Sequence, residues 1–336
     1  MPWKGEKNPY LIWLSEVILQ QTRVEQGIEY YNKFISKYPT VFSLATANNE
    51  DVFKSWEGLG YYSRCRNLLA TARKVAFEMN GQFPDSYDGL LKLKGIGTYT
   101  ASAIASFAFG LPYAVLDGNV YRVLARFFGI ETPVDNKNAF ALFSTLAAEL
   151  LDKKNPAAYN QAIMDFGATV CTPKKPSCEA CPLSRGCIAL KEDKVPELPL
   201  KAKRTRRKKR YFNYVLVENE SGVFIRKREE KDIWQGLYEL VLVESINRNL
   251  SGSELNDHLP EYLQGKFNNG TTLIQQLSHQ EINSRFFKLK LQGTVKYPGY
   301  NLVPHSEVNK LAFPVSIRKY LSGTAPAGSN SFENPD

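Results

Sequence analysis

Four cysteines stand within one short stretch, Cys171, Cys178, Cys181 and Cys187, at the spacing C-x6-C-x2-C-x5-C. Four thiolates on a single loop can close around one soft metal centre, and zinc or an iron–sulfur cluster is the usual occupant of an all-thiolate site. Zinc ribbons tend to pair two C-x2-4-C knuckles across a long spacer. Here one tight pair is flanked by two outlying cysteines. That compact, uneven loop suits the corners of a cubane better than a single ion. A disulfide pairing is the alternative. It is disfavoured by the compactness and by a start, Met1-Pro2-Trp3-Lys4, without an apolar secretory segment. The fifth cysteine, Cys65, stands alone and is expected to be a buried, inert thiol.

The histidines His258, His279 and His305 all lie beyond residue 200. A Ser–His or Cys–His relay, or a histidine-ligated metal, is therefore excluded from the first 200 residues. Acid–base chemistry there falls to carboxyl groups. Glu16 sits inside the apolar run WLSEVILQQT. A carboxyl in apolar surroundings has a raised pKa and can act as a neutral acid near pH 7. Pattern alone leans towards the other reading, an exposed Glu on a polar helix face. The amides of Gln20 and Gln21 and the hydroxyl of Thr22 follow at the helix end, as ordinary surface or as probes of base edges. Asp117, in VLDGNVYRV, closes an apolar segment and opens a helix. Its ordinary role is an N-cap. Its functional role is that of a second carboxylate, about 20 residues beyond a glycine hairpin.

Several elements must position these groups. Residues 8–37 read as a helix, opened by Asn8 or Pro9, and residues 41–80 hold two or three more. Between them the glycines of WEGLGYYSR are expected to expose Tyr61 and Tyr62 beside Arg64 and Arg66, a composition that can stack on or wedge between bases. In LLKLKGIGTYTASAIASFAF, residues 90–109, a helix ends, Gly95-Ile96-Gly97 turns, and a small-residue helix begins at Thr98. The two glycines let backbone N–H groups approach a phosphate, and the next helix presents its positive end there. With Leu93 and Ile96 plugging the core, this is the helix-hairpin-helix pattern of sequence-neutral DNA binding. Residues 139–170 are expected to be helical and to lead into the cysteine loop.

The 336 residues suggest two domains, and 43% hydrophobic residues supply a core for each. No apolar run is long enough for a membrane span, which takes about 18 residues. Eight of the ten residues 201–210 are Lys or Arg and none is acidic, while the flanking segments are nearly neutral. The net charge of +9 thus belongs to one basic linker, able to attract a polyanion or to act as a solvated hinge. Beyond it the character changes. Tyr211–Val217, Gly222–Lys227, Leu237–Val243 and Phe286–Gln292 read as strands, and residues 253–263 and 306–321 as helices, an α+β domain over 211–323. The tail 324–336 reads as disordered. No internal repeat is present.

Taken in order, WLSEVILQQTRV, GLGYYSRCRNL, LKGIGTYTASAI, VLDGNVYRV and the cysteine loop closely resemble the adenine DNA glycosylases of the MutY type. IRKREEKDIWQGLYEL and LSH resemble their Nudix-like domain. The resemblance implies a two-domain protein. An all-α helix-hairpin-helix glycosylase domain over 1–200 carries a [4Fe–4S] loop at 171–187, and an α+β Nudix-like lesion-recognition domain follows. It implies double-stranded DNA containing adenine opposite 8-oxoguanine or G as partner, with the adenine flipped into a pocket. Glu16 matches the general acid that protonates adenine at N7. Asp117 matches the carboxylate that stabilises the oxocarbenium-like sugar, in the manner of the two-carboxylate glycosidases. Tyr99 and Asn119 match residues that assist at the sugar and the attacking water. Gln21, Thr22, Tyr61, Gly95 and Gly97 match DNA-contacting positions. Ser278 and His279 match the finger that reads 8-oxoguanine. Trp3 and Gln161 match the adenine pocket more weakly. A cytoplasmic, nucleoid-associated monomer is expected.

Two departures stand out. The family usually has some 20 residues before its Pro-Trp, and Leu277 replaces a common Phe before Ser-His. The stretch corresponding to the Nudix box, GSELNDHLPEYL, lacks the glutamate-rich core, so Mg²⁺-dependent pyrophosphate hydrolysis is not expected. The competing reading is an endonuclease III-type glycosylase/lyase for oxidised pyrimidines. It places a lysine nucleophile where this chain has Tyr99, and a phenol cannot form a Schiff base. A non-catalytic lesion-binding protein is the third reading, and the presence of both carboxylates speaks against it.

Overall fold

The computed structural model describes residues 4–202, 207–267, 270–293, 296–324 and 330–333. The chain divides into two compact units. Met1–Gln20, Tyr38–Ala45 and Ala70–Arg204 make the first, and Gln21–Lys37, Thr46–Leu69 and Thr205–Asp336 the second.

The helices run α1 (Pro9–Leu19), α2 (Val24–Lys37), α3 (Val41–Thr46), α4 (Asn49–Trp56), α5 (Tyr62–Arg73), α6 (Tyr87–Leu91), α7 (Thr98–Phe109), α8 (Gly118–Phe128), α9 (Ala139–Leu150), α10 (Pro156–Thr169) and α11 (Ile188–Lys191). The single helix expected over 8–37 is two. Asn8 caps α1 by accepting from the Tyr10 N–H, with Pro9 in the first turn. The chain then breaks at Gln21, whose φ of +55° no right-handed helix admits. The helix expected over 139–170 also divides, because Pro156 opens α10 and cannot continue α9.

In the first unit α1 is buried nearly all round, from Tyr10 to Ile18. It packs on α7, whose Thr100–Ser106 stretch is buried as well. The Ala and Ser side chains of α7 allow that close approach, and neither helix is amphipathic because neither has a wet face. A second cluster joins α8 to α9 through Val120, Leu124, Ala125, Ala139, Phe143 and Ala147.

The second unit is built on a sheet of β1 (Lys208–Glu218), β2 (Val223–Lys227), β3 (Tyr238–Glu239), β4 (Val241–Ser245), β5 (Thr271–Gln276), β6 (Gln280–Lys290), β7 (Asn301–Val303) and β8 (Asn330–Glu333). The order is β3-β2-β1-β6-β5-β8, with β4 on β1 and β7 on β2. β1 and β6 run parallel, with Phe212 opposite Ser284. Phe212–Val217 are all buried, so the strand lacks the alternation of a one-faced sheet. Val215, Val217, Phe224, Val241 and Phe287 form a core with Leu255, Leu259 and Leu263. The short helices are α12 (Gly252–Asn256), α13 (His305–Val308) and α14 (Val315–Leu321).

Several boundaries differ from the sequence reading. The strand expected at Phe286 begins at Gln280, and β5 was not anticipated, since TTLIQQ is largely polar. Pro260 and Pro314 split the expected helices over 253–263 and 306–321. Residues 203–206 of the basic linker lie outside the described residues, but Lys208–Arg210 already belong to β1. Arg210 is no hinge residue. It holds Asp232 at 2.8 Å through both terminal nitrogens, and Glu244 at 2.7 and 2.8 Å. In the tail, expected to lack structure, residues 330–333 pair in parallel with β5, whose backbone groups on that edge would otherwise lack partners. The segments 21–37 and 46–69, expected within the N-terminal domain, group with the sheet. Arg66 donates to the Gln235 carbonyl at 2.6 Å and Lys227 pairs with Glu50 at 3.3 Å. No helix of the described residues is long and apolar enough to cross a membrane.

Candidate active site

α1 carries Glu16 inside, at 7% exposure, and not onto a polar face. Burial pushes its carboxyl up to about 7. A hydrogen bond from Tyr99 opposes this and the charge of Asp117 adds to it. Tyr99 lies in the first turn of α7, delivered there by the hairpin. α6 ends at Leu91, Leu93 and Ile96 plug the core, Gly95 takes φ +81°, and Gly97 is the N-cap of α7. The Tyr99 phenol is pushed up by burial and by the nearby Glu16 and Asp117.

Asp117 is both N-cap and neighbour of Glu16. Its Oδ1 accepts from the Val120 N–H at 2.7 Å and its Oδ2 from the Asn119 amide at 2.7 Å. Burial raises its pKa, while the Val120 and Asn119 donors and the Arg122 charge pull it down. The two carboxyls therefore differ. Glu16 has a single hydrogen-bond donor in an apolar helix, and Asp117 has several donors and a cation, which favour its ionised form.

Two buried arginines of α8 frame this site, and sequence reading missed both. Arg122 Nη2 donates to Asn119 Oδ1 at 2.8 Å, which turns the Asn119 NH₂ towards Asp117. The same nitrogen reaches the Gly167 carbonyl at 2.6 Å, and Nε the Cys171 carbonyl at 2.7 Å. Arg126, 3% exposed, donates to Cys171 Sγ at 3.4 Å, Thr172 O at 2.8 Å and Pro173 O at 3.2 Å. The available signal was a pair of cations one turn apart in an otherwise apolar stretch, VYRVLARFF. α10 lies so close to α8 that a Cβ on Gly167 would stand 2.7 Å from Asn119 Cβ.

The four loop cysteines are half-buried and free of disulfides. Burial raises the Cys178 thiol, and the charges of Cys171, Cys181 and Cys187 raise it further. Among the described residues no three His, Cys, Asp or Glu side chains are arranged to hold a metal ion. Lys174, Lys175 and Arg185 of the loop are exposed. Cys65 is fully buried and its thiol is pushed up by that burial. Gln161 donates to Asp165 at 3.0 Å, and Lys4 holds Asp165 at 2.6 and 2.7 Å. Trp3 lies outside the described residues.

A second group of the singled-out residues meets in the sheet unit. Ser278 and His279 form the tip of the β5–β6 hairpin, closed by Leu277 N–H to Gln280 O at 2.8 Å. The Tyr61 hydroxyl hydrogen-bonds the Ser278 hydroxyl. Tyr61, Arg66, Trp234, Ser278 and His279 line a cavity of about 300 Å³. Tyr61 is exposed as expected. Tyr62 is not: it packs inward, its hydroxyl accepting from the Gly58 N–H at 3.4 Å. Gln21 is exposed at the helix break, and the Thr22 hydroxyl accepts from Arg64 at 3.4 Å.

A hairpin entering α7 beside a buried acid, followed by a sheet unit, defines a class. The model of the HhH-GPD superfamily base excision DNA repair proteins matches residues 14–148, and the NUDIX domain model residues 213–323. The adenine DNA glycosylase of Buchnera aphidicola subsp. Schizaphis graminum is 38% identical over 238 residues, 71% of this chain and 69% of that one. Its Homo sapiens counterpart is 43% identical over 198 residues, 56% of this chain and 36% of that one. Among solved structures, a thermostable thymine-DNA glycosylase superposes with a TM-score of 0.53 at 31% identity, covering 57% of this chain and 88% of that one. The chain belongs to the adenine DNA glycosylases, hydrolases of base excision repair.

Proposed function

We propose that this glycosylase removes adenine paired with 8-oxoguanine or G in double-stranded DNA, by hydrolysis of the N-glycosidic bond after the nucleotide is flipped from the stack. The observation that carries this reading is the cluster of Glu16, Tyr99 and Asp117, two buried carboxyls with different hydrogen-bond partners and a phenol bonded to Glu16. Glu16, protonated near neutral pH, gives its proton to adenine N7 and makes the base a better leaving group. Asp117, whose ionised form is favoured by its N–H donors and the Arg122 charge against the burial that raises its pKa, stabilises the cationic sugar. Asn119, its amide oriented by Arg122, holds the attacking water beside Asp117. Tyr99 contributes shape and a hydrogen bond at the deoxyribose. With no amine at that position, strand cleavage does not accompany base release.

Gly95, Gly97 and the N-terminus of α7 take the phosphate backbone, Thr22 contacts the DNA, and Gln21 and Tyr61 enter the helix around the lesion. Ser278 and His279 read the base opposite adenine. Their hydroxyl and imidazole can distinguish 8-oxoguanine from guanine at N7 and the oxidised edge. Cys171, Cys178, Cys181 and Cys187 would hold a [4Fe–4S] cluster. Four free thiols on one short loop, with an Arg126 N–H on Cys171 Sγ, are a donor set whose chemistry fits it. The cluster would supply rigidity to a basic DNA-facing loop, since hydrolysis moves no electrons.

The Nudix-like unit is not a pyrophosphatase on this reading. Glu254 of α12 is consumed by a capping box with Ser251 and by Arg248 at its surface. The test is a glycosylase assay on duplexes holding A opposite 8-oxoguanine, A opposite G, and thymine glycol. Release of adenine from the first two and no action on the third is expected. Action on thymine glycol with strand nicking would overturn the reading.

A further inference from the structure

Glu57 precedes the loop Gly58-Leu59-Gly60 that delivers Tyr61, and no role has been given to it. Four donor nitrogens from three residues converge on its carboxylate. Oε1 accepts from the Phe313 N–H at 2.9 Å and from Arg318 Nε and Nη2 at 3.2 and 3.0 Å. Oε2 accepts from Lys54 at 2.7 Å. Arg318 is fixed in turn by the Leu311 carbonyl at 2.5 Å and stacks over the Phe313 ring at 5.3 Å. The pairs Glu57–Arg318 and Glu57–Lys54 are largely shielded from water, where a hydrogen-bonded ion pair holds geometry far better than at an open surface.

What Glu57 anchors is a rigid loop. Its own carbonyl accepts from the Tyr30 hydroxyl at 2.6 Å. Gly58 takes φ +103°, and a Cβ there would stand 2.4 Å from that hydroxyl. The Gly60 carbonyl accepts from Trp56 Nε1 at 3.0 Å and the Leu59 carbonyl from Arg64 at 3.1 Å. The Arg64 guanidinium covers the Tyr61 ring at 5.5 Å. Tyr61 itself sits at φ +46°, a conformation that a tyrosine keeps only when its surroundings over-determine it.

The anchor also reaches the other side of the Tyr61–Ser278 contact. Arg318 lies in α14, and two residues on, Tyr320 stacks on Phe286 of β6 with ring centroids 4.4 Å apart. β6 starts at Gln280, directly after Ser278 and His279. One short helix thus grips the loop behind Tyr61 and the strand behind Ser278. We propose that Glu57, through Arg318 and α14, is a positioning residue that sets the spacing between Tyr61 and the Ser278–His279 finger and so sets the selectivity for the base opposite adenine. This rests on the reading above, in which that finger and Tyr61 contact the opposite base.

The test uses the full-length holoprotein and single-turnover adenine release opposite 8-oxoguanine and opposite G. Glu57→Gln keeps the shape and removes the charge. It is expected to lower the ratio of the two rates about tenfold, as for loss of one charged hydrogen-bonded pair, and to leave the rate opposite G nearly unchanged. Amide hydrogen exchange over residues 58–62 should accelerate, with β6 unaffected. An unchanged ratio, or a proportional fall in both rates, would overturn the proposal, the latter marking a purely structural role. Arg318→Lys, which keeps the charge and loses the fork, gives the same readouts if Glu57→Gln folds poorly. Ser278→Ala separates the two ideas. If it shifts the ratio and the Glu57 and Arg318 variants do not, the positioning role falls and the finger's role stands. If only the Glu57 and Arg318 variants shift it, positioning acts through Tyr61 and the finger reading falls.

Discussion

Glu16 keeps its proton up to about pH 7 because α1 buries it among apolar side chains. As the general acid it must be protonated, so single-turnover adenine release should be flat below pH 7 and fall about tenfold per pH unit above it. Glu16→Gln should abolish release and leave binding of lesion DNA intact. A rate from pH 5.5 to 9 that never falls would remove Glu16 from the mechanism. The same shift has a stability consequence of known sign. A folded-state pKa raised from 4.5 to about 7 makes stability fall as pH rises between those values. The loss is roughly 3 kcal/mol. Thermal unfolding of Glu16→Gln against the parent should therefore show a gap that widens from pH 4.5 to 7 and then holds. Tyr99 carries a separate expectation. Borohydride should trap little enzyme on adenine-containing DNA, with strand scission requiring alkali or heat. Tyr99→Lys should gain trapping, because it places an amine at the same helix N-terminus. Efficient trapping by the unaltered protein would revive the lyase reading. At the hairpin tip, Ser278→Ala with His279→Ala should reduce the preference for 8-oxoguanine over G and spare basal release. Unchanged selectivity would move lesion reading elsewhere.

The helices matter through the distances they hold. α8 and α10 approach closely because Gly167 has no side chain to keep them apart. Gly167→Ala would drive a Cβ to 2.7 Å from Asn119 Cβ and 3.0 Å from its carbonyl oxygen. Overpacking of this kind costs about 1–3 kcal/mol. The expected outcome is a lower unfolding temperature and slower adenine release, since Asn119 is displaced from Asp117. A variant with unaltered rate and stability would show that α10 moves aside freely. Much of this level was legible. The LKGIG turn, the Pro9 start of α1 and the N-cap at Asp117 each follow from local backbone preferences. The break at Gln21 and the inward turn of Tyr62 were not. Tyr62 is turned inward by what packs against it, and neither residue type betrays its conformation.

For the whole molecule, the basic linker shrinks and the cysteine loop acquires its supports. Purified protein is expected to be brown, to absorb broadly near 400 nm (roughly, as thiolate-ligated iron does) and to contain about four irons. Colourless protein with one zinc would refute the cluster. The sequence by itself determined the class: its cysteine spacing, glycine hairpin and absence of histidine from the first 200 residues restrict chemistry to carboxyls, whatever the packing. It also determined that two kinds of unit follow one another, because helical and strand periodicities are local. Tertiary structure alone decided that Glu16 is buried, since α1 is covered nearly all round and pattern could not say which face was wet. It decided as well that residues 21–37 and 46–69 join the sheet unit, and that Arg122, Arg126 and Glu57 matter. Their partners lie 3 to 261 residues away. A charge's worth depends on the donor or acceptor that desolvation brings to it, and only the folded chain brings the distant ones.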